Sequence, residues 1–279
     1  MTRLFSAERM RLRKSWLLWL MLLIAAAISL QVFQEQSRMT VTGHAIGEAW
    51  PMDEAFFQFS IANGILLSAF IPLFLGAEFS NGTIRNKLIA GHRRGAIYLS
   101  YLLTAFVSSG LLTLVSLGVN AVTGSLEGGE IAMPGGLLAV SLCSALCCAF
   151  AFASLYVLIA TQITNRAFSA VACIGVCLLM ILLSSRMISD LHIAPEARDM
   201  LALVDGKPVF SDPYPNPMYV SGAKRTVMEL AVDLLPTGQG IQLSNLEAER
   251  VARFPLLSAI FILLTSGAGL LSFGRKDLK

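Results

Sequence analysis

Residues 98–122 read YLSYLLTAFVSSGLLTLVSLGVNAV, a run without Asp, Glu, Lys, Arg or His. A membrane-spanning helix needs about 20 mostly apolar residues, because the hydrocarbon core of a bilayer is about 30 Å thick. The run therefore predicts a helix that crosses a membrane. Across the 279 residues, 55% are hydrophobic and 14% are charged, whereas a soluble domain carries about 25% charged residues. This composition indicates a polytopic membrane protein.

Five other runs are equally free of charge, so the sequence predicts an all-α fold with six transmembrane helices in a single domain, residues 1–279. The predicted spans are Trp16–Phe33, Phe56–Gly76, Tyr98–Val122, Gly135–Thr161, Ala167–Ser185 and Phe254–Phe273. The first run has a second interpretation, since a basic start followed by Ala25-Ala26-Ala27 resembles a cleavable signal peptide. Because the apolar run continues beyond the alanines to Val32, we favour a span.

The positions of Lys and Arg predict the orientation of the spans, because cytoplasmic loops are enriched in these residues. Basic residues concentrate in residues 1–15, in residues 77–97 and at the C-terminus, whereas the two short loops predicted to lie outside contain Arg38 as their single basic residue. We therefore expect both termini to be cytoplasmic. Residues 1–15 predict a short helix, which is either a positive-inside flank or a helix on the membrane surface attracted to anionic lipid.

The long segment 186–253 is predicted to lie outside the cell, between the fifth and sixth helices. Pro213, Pro215 and Pro217 predict extended or turned chain, and the stretch GAKRTVMELAVDLLPTGQG, residues 222–240, predicts an amphipathic helix that Pro236 stops. The segment has two interpretations. It is either a structured cap or a lid that shapes an exit or meets an extracellular peptide.

Several function classes find no support in the sequence. A net charge of +3 gives no indication of a nucleic-acid surface, and no P-loop or HExxH motif is present. All five cysteines lie in apolar runs, and no His, Asp or Glu joins the pairs Cys143/Cys147 and Cys173/Cys177 in the predicted spans, so we expect no metal site. We predict that the chain is not an enzyme and binds no cofactor itself. A proton-coupled transporter usually carries ionisable residues within its spans. The predicted spans have none, so the sequence does not favour this class.

Residues 78–95, EFSNGTIRNKLIAGHRRG, are basic and rich in glycine. Gly82 predicts a turn, and a short helix is expected to begin near Ile84. Thr83 or Ser80 is predicted to cap the start of this helix, and Gly91 is predicted to end it. This helix would be amphipathic, with Ile84, Leu88 and Ile89 on one side and Arg85, Asn86 and Lys87 on the other. The residues alone leave two interpretations open, namely a positive-inside loop or a docking surface parallel to the membrane.

An apolar span is followed by EFSNGTIRNKL and then by GHRRGAIYLSYLL. This arrangement resembles the intracellular loop of permeases of the ABC type-2 export superfamily. The layout is also similar over essentially the whole chain: a basic N-terminal helix, six spans and a large outside segment before the sixth. The resemblance implies that residues 77–97 hold a coupling helix that fits a groove on a separate ATPase. One departure is Ser100-Tyr101, where family members often carry a Lys near the start of the third span.

By this resemblance the ATPase-coupling residues are Glu78, Gly82, Thr83, Arg85, Asn86, Lys87, Arg93 and Arg94. The resemblance further implies that ATP and Mg²⁺ bind to the partner ATPase, and that a second permease subunit, identical or a paralogue, completes the transport path. The expected location is the bacterial cytoplasmic membrane, and the expected cargo is hydrophobic or peptide-like, such as an antimicrobial peptide. A secondary transporter and a non-transporting sensor or scaffold with a ligand-binding cap remain alternatives.

Overall fold

A computed structural model describes residues 2–41, 50–198, 200–204, 207–245 and 251–276 of the chain. In these ranges, six helices are long and apolar enough to span a membrane, which confirms the number of predicted spans. They are α2 (Trp16–Val41), α4 (Phe59–Ser80), α6 (Arg94–Leu126), α7 (Gly135–Gln162), α8 (Arg166–Leu191) and α11 (Phe254–Arg275).

Most of these helices continue beyond the predicted apolar runs, because the backbone hydrogen bonds of a helix do not require apolar side chains. The second span is the exception at its start. Phe56, predicted to open it, instead ends the short helix α3 (Asp53–Phe56), and α4 begins only at Phe59. Phe56 and Phe57 are both buried and pack edge to face with ring centroids 5.2 Å apart. Their apolar character therefore reflects a core at the end of the bundle.

Shorter elements lie between the spans. The remaining helices of the described ranges are α1 (Thr2–Lys14), α5 (Ile84–Ile89), α9 (Gly222–Leu234) and α10 (Pro236–Ser244). The prediction of an all-α fold is incomplete, because three pairs of short strands are also present. They are β1 (Trp50–Pro51) parallel to β2 (Gly129–Glu130), β3 (Glu196–Ala197) antiparallel to β6 (Tyr214–Pro215), and β4 (Met200–Val204) antiparallel to β5 (Lys207–Phe210).

One end of the bundle, here called the basic end, gathers α1, α5, the α7–α8 turn and the end of α11. The Lys276 ammonium donates to the carbonyls of Thr161 and Gln162, at 2.8 and 2.9 Å. The Arg94 guanidinium donates to the carbonyls of Gly274 and Lys276, at 3.1 and 2.6 Å. The segments predicted to be cytoplasmic therefore share one end.

The opposite end joins the loop before α4 to the loop before α7. The indole of Trp50 donates to the Glu127 carbonyl at 3.2 Å, and the Asp53 carboxylate accepts from the backbone N–H groups of Ala132 and Met133, both at 3.1 Å. These contacts place the two short loops predicted to lie outside at the same end of the bundle.

The predicted cap, residues 186–253, is partly embedded in the bundle. Helix α8 continues to Leu191, and α10 packs between α4, α7 and α8 with all of its residues buried except Ile241. Thr237 shares a hydrogen bond of 2.7 Å with Ser184, and the Cys148 thiol donates to the Pro236 carbonyl at 3.2 Å. Pro236 follows α9, as predicted, but it also begins α10, because proline lacks the N–H that the first position of a helix leaves unpaired.

Polar side chains inside the spans join neighbouring helices. The Ser116 hydroxyl donates to the Asn63 side-chain oxygen at 3.2 Å, which links α6 to α4. The Asn120 side-chain amide donates to the Phe56 carbonyl at 2.9 Å, which links α6 to α3. Both asparagines thus bond a neighbouring helix, as such residues commonly do in membranes.

Close packing of α6 on α11 depends on Gly269. A methyl group at this position would overlap the buried phenol of Tyr98, whereas one at Gly267 in the same helix would meet no atom within 4 Å. We expect Gly269→Ala to destabilise the protein by about 1–3 kcal/mol, as overpacking does in other cores. Gly267→Ala should leave the melting temperature in detergent unchanged or slightly raised, because alanine favours the helix. Equal melting temperatures for the two variants would contradict this packing.

Candidate functional site

Two glycines set the ends of α5 at the basic end. Gly82 has a φ of +66° and Gly91 a φ of +81°, a backbone region that glycine adopts without steric cost. The predicted short helix is confirmed between them. Thr83 stands at the N-cap position of α5, as one of the two predicted candidates, but its side chain makes no capping hydrogen bond. Its hydroxyl donates instead to the Glu78 carbonyl at 3.3 Å, and Ser80, the other candidate, is the last residue of α4. The conformation of α5 thus depends on the glycine turns.

The inner face of α5 differs from the predicted one. Ile84 is buried and Leu88 half-buried, but Ile89, predicted to share their face, is 84% exposed. Lys87, predicted on the outer polar face, points inward, and its side chain is only 17% exposed. The reason is electrostatic, since two carboxylates lie beneath the helix.

We call the group formed by Glu8 and Arg11 of α1, Glu78 of α4, Lys87 of α5 and Tyr101 of α6 the charge cluster. The Lys87 ammonium forms ion pairs with both carboxylates, at 2.5 Å for Glu78, and it donates to the Tyr101 hydroxyl at 3.5 Å. The Tyr101 hydroxyl donates in turn to the Glu78 carboxylate. Helices α4, α5 and α6 therefore meet at the Glu78 carboxylate.

Arg11 completes the cluster. Its guanidinium forms ion pairs with Glu78 and with Glu8, the latter at 3.4 Å, and it stacks 4.1 Å above the centre of the Phe74 ring. The Lys87 ammonium lies 4.6 Å above the Tyr101 ring. The cluster thus balances two carboxylates against two cations, with aromatic faces beside both cations.

Burial and the neighbouring carboxylate Glu8 act in opposite directions on the pKa of each of the two cations. Burial lowers the pKa of the Lys87 ammonium, while the charge of Glu8 and a hydrogen bond to it raise that pKa. Burial also lowers the pKa of the Arg11 guanidinium, and Glu8 again opposes this effect. Glu8 therefore favours the charged form of both cations, and loss of a carboxylate from the cluster would leave a buried charge without compensation.

The other predicted coupling residues lie outside the charge cluster. Thr83, Arg85, Asn86 and Arg93 are exposed, whereas Arg94 binds carbonyls at the end of α11. Of the eight predicted residues, the structure brings the side chains of Glu78 and Lys87 together. The exposed residues form a separate outer surface around α5.

Three members of the charge cluster were not predicted, namely Glu8, Arg11 and Tyr101. The sequence carries one signal for Glu8, because it lies four residues after Leu4 and four before Leu12, both of which are buried. A carboxylate within an apolar stripe indicates a buried partner.

Within the described ranges, no group of three or more His, Cys, Asp or Glu side chains is arranged to hold a metal ion. Comparison of the chain with protein-family models and with curated proteins finds no match. The properties of the site therefore follow from its own geometry.

Glu78→Gln tests the importance of the charge cluster for stability. It removes the carboxylate shared by Arg11, Lys87 and Tyr101, and we expect a loss of about 3 kcal/mol, typical of a broken buried ion pair. The measurement is the thermal melting temperature of the purified protein in detergent. Glu35→Gln is the matched control, because the Glu35 side chain is 62% exposed and its 3.7 Å pair with Arg38 contributes little. Equal effects of the two changes would contradict a special role for Glu78.

Proposed function

We propose that this chain is the membrane-spanning permease subunit of an ATP-driven exporter of the ABC type-2 kind, with its basic end in the cytoplasm. The observation that supports this most is the position of Lys87. It lies on a short helix between two spans, and it binds carboxylates of α1 and α4. A force applied to α5 from outside the bundle would therefore reach α4 through ion pairs.

In this proposal, the two faces of α5 have separate tasks. The outer face, with Arg85, Asn86 and Ile89 exposed, docks into a groove of a separate ATPase. The inner face transmits movement through Lys87 to Glu78, which lies in the last turn of α4. ATP and Mg²⁺ bind to the partner, so the permease contributes mechanical coupling and no hydrolytic chemistry.

Helix α4 runs from the opposite end to the basic end, and it packs against α7, α8 and α10. A Cβ at Gly240 of α10 would lie 3.4 Å from the Ile61 side chain, so the two helices are closely apposed near the start of α4. We propose that displacement of α4 shifts α10 and so opens or closes the outer end. Cargo that is hydrophobic or peptide-like, such as an antimicrobial peptide, would then leave along a path shared with a second permease subunit.

The proposed location is the bacterial cytoplasmic membrane. The six apolar helices support a multi-pass membrane protein, and the concentration of Lys and Arg at one end supports a cytoplasmic position for that end. α5 and the charge cluster would then face the compartment that contains ATP.

Charge reversal on the outer face of α5 tests the docking step. We expect Arg85→Glu to lower the ATPase activity that co-purifies with the tagged protein by at least about tenfold, because the change places a repulsive charge within the contact. The activity is measured as Mg²⁺-dependent ATP hydrolysis after purification in mild detergent. Arg275→Glu is the matched control, since Arg275 is an exposed cation of the same end outside α5.

Two outcomes would contradict the proposal. Equal activity with Arg85→Glu and with Arg275→Glu would show that α5 is not the docking element. If no ATP hydrolysis accompanies the unaltered protein, although its melting curve shows a folded state, the exporter function itself would be contradicted.

A further inference from the structure

An open apolar groove of about 380 Å³ lies at the basic end, between α1 and the first turns of α6. Phe5 of α1 and Leu99, Leu103 and Phe106 of α6 line it. Ser100 also borders the groove, but its hydroxyl donates to the Ile97 carbonyl of its own helix at 2.7 Å. Since a dry apolar cavity of about 150 Å³ already binds benzene, the groove has room for a segment of hydrocarbon chain.

A second recess of about 350 Å³ follows along α1, and three of its five lining residues are basic. Its lining consists of Ser6, Arg9, Met10, Arg13 and Lys14. Arg9 and Arg13 follow Phe5 by four and eight residues, so they share its side of the helix. In the described ranges neither arginine has an ion pair, and both are exposed. An apolar groove and a cationic recess are thus consecutive on one helix face.

Two tryptophans indicate the depth of this surface in the membrane. Trp16 and Trp19, at the start of α2, are 72% and 61% exposed, and the indole of Trp19 donates to the Arg13 carbonyl at 3.0 Å. Exposed tryptophans beside arginines are typical of the boundary between headgroups and hydrocarbon. We therefore expect the recess to lie at headgroup level when the protein is in a membrane.

We propose that this surface binds one anionic phospholipid. Its phosphate would contact Arg9 and Arg13, and one acyl chain would lie in the groove between Phe5 and Leu103. Charge complementarity favours this ligand, because the carboxylate nearest in sequence, Glu8, is buried against Arg11 and Lys87 on the other side of α1. The lipid would hold α1 against α6 from outside, where the charge cluster holds the same two helices from inside.

The test measures lipid retention by native mass spectrometry. The purified protein is given equal amounts of phosphatidylglycerol and phosphatidylcholine in mild detergent, and the lipid that remains bound is counted. We expect the unaltered protein to retain one phosphatidylglycerol in preference to phosphatidylcholine. Arg9→Gln with Arg13→Gln should lower that retention at least about tenfold, since each cation near an anionic headgroup contributes about fivefold in affinity.

Two matched controls separate this site from general effects. Arg166→Gln with Arg275→Gln removes two exposed cations of the same end and should leave retention unchanged. Leu99→Trp should fill the groove and lower retention, whereas Leu182→Trp, at a 69% exposed position of α8, should not. Melting temperatures close to that of the unaltered protein establish that the variants are folded.

Three results would overturn the proposal. The first is equal retention of the two lipids by the unaltered protein, which would indicate binding of acyl chains without recognition of charge. The second is an equal loss with both arginine pairs, which would indicate a general effect of surface charge. The third is unchanged retention with Leu99→Trp, which would place the acyl chain elsewhere.

Discussion

The ion pairs of Glu78 are the interaction on which the basic end depends. Withdrawing charged groups from water costs several kcal/mol per ion, and the cost is offset only when the charges are paired and hydrogen-bonded. Glu78 meets this condition with Arg11, Lys87 and Tyr101, which come from three other helices. One carboxylate therefore links α1, α5 and α6 to α4.

The same constraint explains why α5 suits a mechanical role. A helix of six residues is not stable in isolation, so its structure depends on its ends and its contacts. The glycine turns at Gly82 and Gly91 set the ends, and Lys87 with Ile84 supplies the inner contacts. The outer face of α5 remains exposed, as the docking proposed above requires. At the opposite end α10 is embedded between the spans, and α4 contacts both regions.

The sequence predicts the elements defined by local patterns, such as the six spans and the turns around α5. It did not predict the inward position of Lys87, because helical periodicity places this residue among polar neighbours, and only the tertiary arrangement reveals Glu8 beneath it. The buried position of α10 was not predicted for a similar reason. Its Gln, Ser and Thr residues look solvent-exposed in the sequence, but they form hydrogen bonds with neighbouring helices.

Lys87 holds α5 against the bundle through its ion pairs with Glu8 and Glu78. Hydrogen exchange of the backbone amides of residues 84–92 tests this role most directly. Lys87→Met keeps the length and helix propensity of the side chain but removes its charge. We predict that the amides of this segment then exchange at least about tenfold faster, because local opening costs less free energy. The control, Lys14→Met at an exposed position, should leave exchange unchanged. Equal exchange rates in the unaltered protein and in Lys87→Met would contradict the account.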